Sequence, residues 1–164
     1  MIEIRPLRKV DDFGDLIELS RLFFSEYEPH HPVFFKIDQL KDEAVVSYFS
    51  SFCDQESQKA FIARDRSRIV GYITVYIKDQ ADYWQVKRLG EISGFMVQKE
   101  YRHQGIATRL LAAAKLFFKQ KGLRYYAVYT ATANHGALEF YRKNGLLPLY
   151  TTMLGEIELT AGQR

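Results

Sequence analysis

Residues 102–107 of the 164-residue chain read Arg102, His103, Gln104, Gly105, Ile106 and Ala107, after an apolar run and before a stretch with helical spacing. A helix starting there leaves its first-turn N–H groups without intrahelical partners, at the positive end of the helix dipole. Several such donors acting together stabilise an anion. Gly105 has no Cβ where a phosphate would meet the backbone, Ala107 keeps the next turn narrow, and Arg102 and His103 add side-chain donors. The segment is a candidate phosphate cradle. Neither of the two commoner phosphate loops is present, since no Gly-Lys-Ser/Thr occurs and the second and third glycines of a dinucleotide loop are missing. Taken alone, it fits a plain strand–loop–helix turn equally well.

The elements that must hold this loop follow from periodicity. Residues 2–7 alternate apolar and polar side chains, a short strand closed by Pro6. Residues 10–24 place Val10, Phe13, Leu16, Ile17, Leu19, Phe23 and Phe24 largely at helical spacing. Pro29 and Pro32 interrupt that pattern, because each biases its preceding residue away from the helical region. A second helix is expected over 37–53, with Asp38 as candidate N-cap and an apolar stripe of Leu40, Ala44, Val45, Tyr48, Phe49 and Phe52. Residues 60–63 and 69–77 read as a hairpin, and a polar stretch covers 78–87. A strand at 91–97, a helix at 105–121, a strand at 125–132 and a helix at 134–144 follow, before a closing strand pair within 146–159. The 91–132 unit should be a right-handed crossover between neighbouring parallel strands. Ligands of such sheets bind where a strand C-terminus meets the next helix, which puts the chemistry at 97–108.

Composition narrows the class. One domain is expected, with 47% hydrophobic and 26% charged residues. A formal charge of +3 lacks the dense basic cluster of nucleic-acid binding, so no nucleic-acid partner is expected. Cys53 is the sole cysteine, which excludes an intrachain disulfide, suits a reducing cytoplasm and reads as a core residue. No apolar run approaches the ~20 residues of a membrane span, so no membrane partner is expected and the location is read as cytoplasmic. His30 and His31 lie between prolines, and His103 and His135 belong to other loops, so no metal site is expected.

A second segment sharpens the first. Residues 134–146 read Asn134, His135, Gly136, Ala137, Leu138, Glu139, Phe140, Tyr141, Arg142, Lys143, Asn144, Gly145 and Leu146. Together with Arg102, Gly105 and Ala107, this resembles the coenzyme-binding core of the GNAT superfamily of N-acetyltransferases. That family carries Arg/Gln-x-x-Gly-x-Gly/Ala after an apolar strand, and Asn-x-x-Ala…Tyr-x-Lys-x-Gly-Phe later. Leu146 replaces the usual aromatic. The resemblance is good over about residues 60–155 and holds only in outline for the first helices. It implies an α/β (α+β) GNAT-like fold over residues 1–164, with a mixed central sheet of about seven strands, about four helices on both faces, and a coenzyme-binding core at about 88–146.

The resemblance also implies roles. Acetyl-CoA would be the co-substrate, held at its pyrophosphate by the backbone of Gln104, Gly105, Ile106, Ala107 and Thr108. The main chain of Met96 and Val97 would pair with the pantetheine arm, beside a bulge for which Gly94 is the candidate. Arg102, His103, Asn134, Phe140 and Lys143 belong to the same coenzyme side, and Asn134 also suits a helix cap. Tyr141 matches the family's acid for the leaving thiolate, and Glu91 the base that some members use. Residues 27–35 and 79–84 would cover the acceptor, with Tyr27, Glu28, Phe34 and Tyr83 as contacts and Glu26, Glu28, Asp79 and Asp82 attracting a cationic amine. The expected activity is acetyl transfer from acetyl-CoA to a primary amine of a small molecule or peptide, in a chain that pairs as a homodimer by analogy. The alternative is a non-catalytic acetyl-CoA or CoA sensor of the same fold.

Overall fold

The computed structural model describes residues 1–157. Strand β1 (Ile2–Pro6) leads into helices α1 (Gly14–Tyr27) and α2 (Asp42–Ser50), then strands β2 (Gln58–Asp65), β3 (Arg68–Asp79) and β4 (Arg88–Val97). Helix α3 (Ile106–Gln120), strand β5 (Tyr126–Val128) and helix α4 (His135–Lys143) follow. The five strands lie in sequence order, β1 to β4 antiparallel and β4–β5 parallel, so the crossover through α3 joins neighbours as expected.

Alternation along β3 decides which helix covers which face. Ile73 and Val75 turn to α3, where they pack with Ile92, Val97, Ile106, Leu110, Leu111, Ala114, Phe117 and Phe118. Tyr72 turns to the other face and packs with Leu16, Leu19, Val45, Phe49 and Phe52 from α1, α2 and the turn after α2. Each fully buried Leu or Ile contributes about 1.5–3 kcal/mol, so both seams hold the sheet rigid beneath the loops. Cys53 is buried in the second core, as its apolar setting predicts. At Gly90 α3 packs tightly on the sheet, since a Cβ there would lie 2.4 Å from a Phe118 ring carbon. Gly90→Ala is therefore expected to cost about 2 kcal/mol, read as a lower urea midpoint at unchanged slope.

Three expectations need correction. Helix α1 starts at Gly14 rather than at residue 10, because the Asp11 carboxylate takes two Arg5 hydrogen bonds and the Arg8 N–H, holding 8–13 as a turn. Helix α2 starts at Asp42 with Lys41, not Asp38, at its N-cap, and Asp42 and Glu43 supply the favourable charge of the first turn. The sheet has five strands rather than about seven. Residues 146–157 form no strand, and residues 158 and 159 of the expected closing pair lie outside the described residues. Pro148 removes a ladder donor there, and Tyr150 meets the hydroxyl of Tyr129, just past β5, while Leu147, Leu149 and Met153 stay exposed.

Candidate active site

The loop after β4 makes a short 3-10 turn, Lys99–Tyr101, and enters α3 through Gly105 at φ 76°. That left-handed conformation favours glycine, and a Cβ at this position would meet nothing within 4 Å. No side chain caps α3, and its first turn holds no acidic residue. The first helical bond runs from the Arg109 N–H to the Gly105 carbonyl, which leaves the N–H groups of Ile106, Ala107 and Thr108 directed outward. His103 also has a positive φ, 60°, so the backbone curls on both sides of Gln104. Gln104 steadies the curl by donating to the Glu100 carbonyl at 3.1 Å.

Arg102 turns back toward the sheet instead of standing over the helix start. Its Nε donates to the Val97 carbonyl at 2.8 Å, and Nη2 spans both Glu26 oxygens at 2.9 and 2.8 Å. The loop is thereby tied to the end of α1. Glu26, expected to face an amine, has a guanidinium partner instead.

Strand β5 pairs with β4 only from Gly90 to Ile92. Beyond that point the β4 edge from Gly94 to Val97 has no ladder partner among the described residues. The strands part at a bulge. Thr74 pairs with Gly94 and Val75 with Ile92, so Ser93 is the extra residue. Gly94, the candidate bulge, sits beside it in close contact, since a Cβ there would fall 2.8 Å from Thr74 Oγ1.

Tyr141 enters the same region from α4. It is 9% exposed, its ring lies 6.5 Å from that of Phe95, and Phe140 packs 5.6 Å from Phe95. No hydrogen bond to a described residue engages its hydroxyl. Burial, helped by the nearby Tyr27, pushes the Tyr141 phenol above its ordinary range, so it stays protonated. Asn134 caps α4 by accepting the Ala137 N–H at 3.2 Å, as its position predicts. Lys143 pairs with Glu139 one turn back on the exposed side of the helix.

Aromatic contacts hold the segment after α1. Tyr27 stacks on Phe23 at 5.5 Å and meets Phe35 edge-on at 4.8 Å, and Phe34 packs 5.1 Å from Phe35. Glu28 accepts the Ile37 N–H at 2.9 Å, and His31 Nδ1 accepts the N–H groups of Val33 and Phe34. Both side chains therefore shape the loop. Among the described residues no group of three or more His, Cys, Asp or Glu could hold a metal. Tyr83 stays apart, 82% exposed beside Trp84 on the β3–β4 connection.

Glu91 is 6% exposed and stands on the face opposite α3. Its oxygens accept from Tyr76 OH at 2.8 Å and Lys78 Nζ at 2.9 Å. Burial and the bond to Glu91 push the Tyr76 phenol up to about 12, and the same carboxylate raises Lys78. Next to the bulge, the hydroxyls of Tyr48, Thr74 and Ser93 form a closed ring with edges of 2.9, 3.1 and 2.9 Å. The roles of Tyr76, Lys78 and this ring are absent from the sequence reading. Alternation along β3 puts 74, 76 and 78 on one face, and that was the available signal.

The profile of the acetyltransferase (GNAT) family matches residues 15–146. An uncharacterised N-acetyltransferase of Methanocaldococcus jannaschii is 24% identical over 147 residues, covering 88% of this chain and 62% of that protein. N-alpha-acetyltransferase 30 of Schizosaccharomyces pombe is 33% identical over 94 residues, 57% of this chain and 61% of the relative. The matches thus span about three fifths of these curated relatives. Aminoglycoside N-acetyltransferase AAC(6')-Iy, solved with CoA, shares the fold at TM-score 0.76 and 17% identity, covering 97% of this chain and 96% of that one. The chain belongs to the GNAT family of acetyltransferases.

Proposed function

We propose that the chain transfers the acetyl group of acetyl-CoA to a primary amine of a small molecule or peptide. The observation that carries this reading is the uncapped N-terminus of α3 beside a β4 edge left free from Gly94 to Val97. The diphosphate would lie on the N–H groups of Ile106, Ala107 and Thr108, where the helix dipole favours negative charge. The pantetheine arm would extend along Val97 and Met96 as an added strand. Its thioester then reaches the bulge, between Tyr141 and Glu91.

The chemistry follows from those two groups. The amine nitrogen attacks the thioester carbonyl, a C–N bond forms and the C–S bond breaks. Glu91 takes the amine proton directly or through water, and Tyr141 gives its proton to the departing thiolate. Backbone N–H groups at the bulge would support the tetrahedral oxyanion. Arg102 acts on the loop from behind, by fixing the Val97 carbonyl and the end of α1.

Calorimetric titration with acetyl-CoA tests the donor half. Gly105→Asp is the discriminating variant when set beside Gly105→Asn, because the added Cβ meets no neighbour and both side chains carry the same left-handed strain. A carboxylate at the diphosphate position should weaken binding at least about 100-fold, and the neutral amide far less, although both variants melt below the parent. Equal affinity in the two variants would remove the diphosphate from α3.

A further inference from the structure

We propose that Lys78 determines acceptor specificity, so that the cleft takes a monoamine with an apolar or aromatic body and rejects polycationic amines. This inference rests on the reading of that cleft as the acetyl-acceptor site.

The proposed acceptor surface is the sheet face opposite α3. The core beneath α1 and α2 reaches Tyr72 and Met96, and Thr74, Tyr76, Lys78, Glu91 and Ser93 continue the same face beyond it. On one side Tyr48 of α2 is bonded to Thr74 and Ser93. On the other, Lys78 Nζ stands 5.6 Å over the ring of Tyr129, whose hydroxyl meets Tyr150. The surroundings are phenols and hydroxyls with one buried carboxylate.

That carboxylate is already matched. Lys78 neutralises Glu91 at 2.9 Å, and with a side chain 39% exposed it keeps its ammonium at the cleft surface. Three of the four acids expected to recruit a cation are also engaged, leaving Asp82 on the exposed β3–β4 connection. Glu26 holds Arg102, Glu28 accepts a backbone N–H, and Asp79 lies 3.5 Å from Arg88. A site for several ammonium groups needs unmatched carboxylates, because a desolvated charge without a partner is costly. Here the first ammonium entering finds hydroxyl acceptors and tyrosine faces, and a second finds the buried carboxylate already taken by Lys78.

The test compares 2-phenylethylamine with spermidine as acceptors for the full chain with acetyl-CoA, as kcat/KM from thiol release. The expected ratio favours 2-phenylethylamine by at least about 10-fold. Lys78→Met should lower that ratio at least about 10-fold and Lys78→Arg should keep it. The ratio cancels any common effect on chemistry, so it reports specificity alone. A preference for spermidine in the parent protein, or a ratio unmoved by Lys78→Met, overturns the inference and leaves acetyl transfer intact. Acetyl-CoA binding without turnover of any amine overturns the inference together with the reading it rests on.

Discussion

Tyr141→Phe is expected to lower kcat by about 10²- to 10⁴-fold, the range of a lost general acid, with the acetyl-CoA dissociation constant nearly unchanged. The substitution removes one oxygen and keeps the ring, so packing against Phe95 and Phe140 persists. Burial raises the phenol above its ordinary value, so the proton is present throughout the neutral range and available for the proposed transfer to the thiolate. The alkaline side of the parent's pH–rate profile should therefore report a group other than Tyr141. A kcat equal to that of the parent would remove the assignment.

Glu91→Gln carries the second large effect, a fall of about 10²-fold in kcat/KM with a changed pH–rate profile. The carboxylate accepts from Tyr76 and Lys78, which fix its orientation, and each oxygen keeps a further lone-pair site for a proton or a water. Glutamine preserves shape and can still accept from Tyr76, so the fold should survive while proton uptake fails. The same change leaves Lys78 without its counter-charge, so a modest loss of stability accompanies it. An unaltered profile would move the base to a water chain held elsewhere in the cleft.

The entry to α3 was readable because its signals are local. Gly105 marks the left-handed entry to α3, and the apolar stripe from Ile106 to Phe118 marks the helix that must face the sheet. The bulge was displaced by one residue, from Gly94 to Ser93, since glycine marks a site of close approach without saying which neighbour is extra. Interactions across the chain were not readable. Arg102 finds Glu26 from 76 positions away, and Tyr48 finds Ser93 from 45 away. The loop's own residues carry no sign of the carboxylate that Arg102 pairs with. The start of α1 failed for a similar reason, because the ion pair between Arg5 and Asp11 overrides the apolar spacing that begins at Val10. A closing strand pair was expected after Leu146, but residues 146–157 form no ladder beside the open edge of β5, where Pro148 cannot donate to one.

The most direct measurement of the central claim is mass spectrometry of the acceptor pool after incubation with acetyl-CoA, alongside free-thiol release. Acetyl transfer through Tyr141 and Glu91 predicts amine-dependent release of CoA, one acetyl group gained on the amine per thiol freed, and loss of both signals in Tyr141→Phe. Binding of acetyl-CoA that protects the chain against unfolding, with no thiol release for any primary amine, would contradict it and identify a sensor of the coenzyme instead.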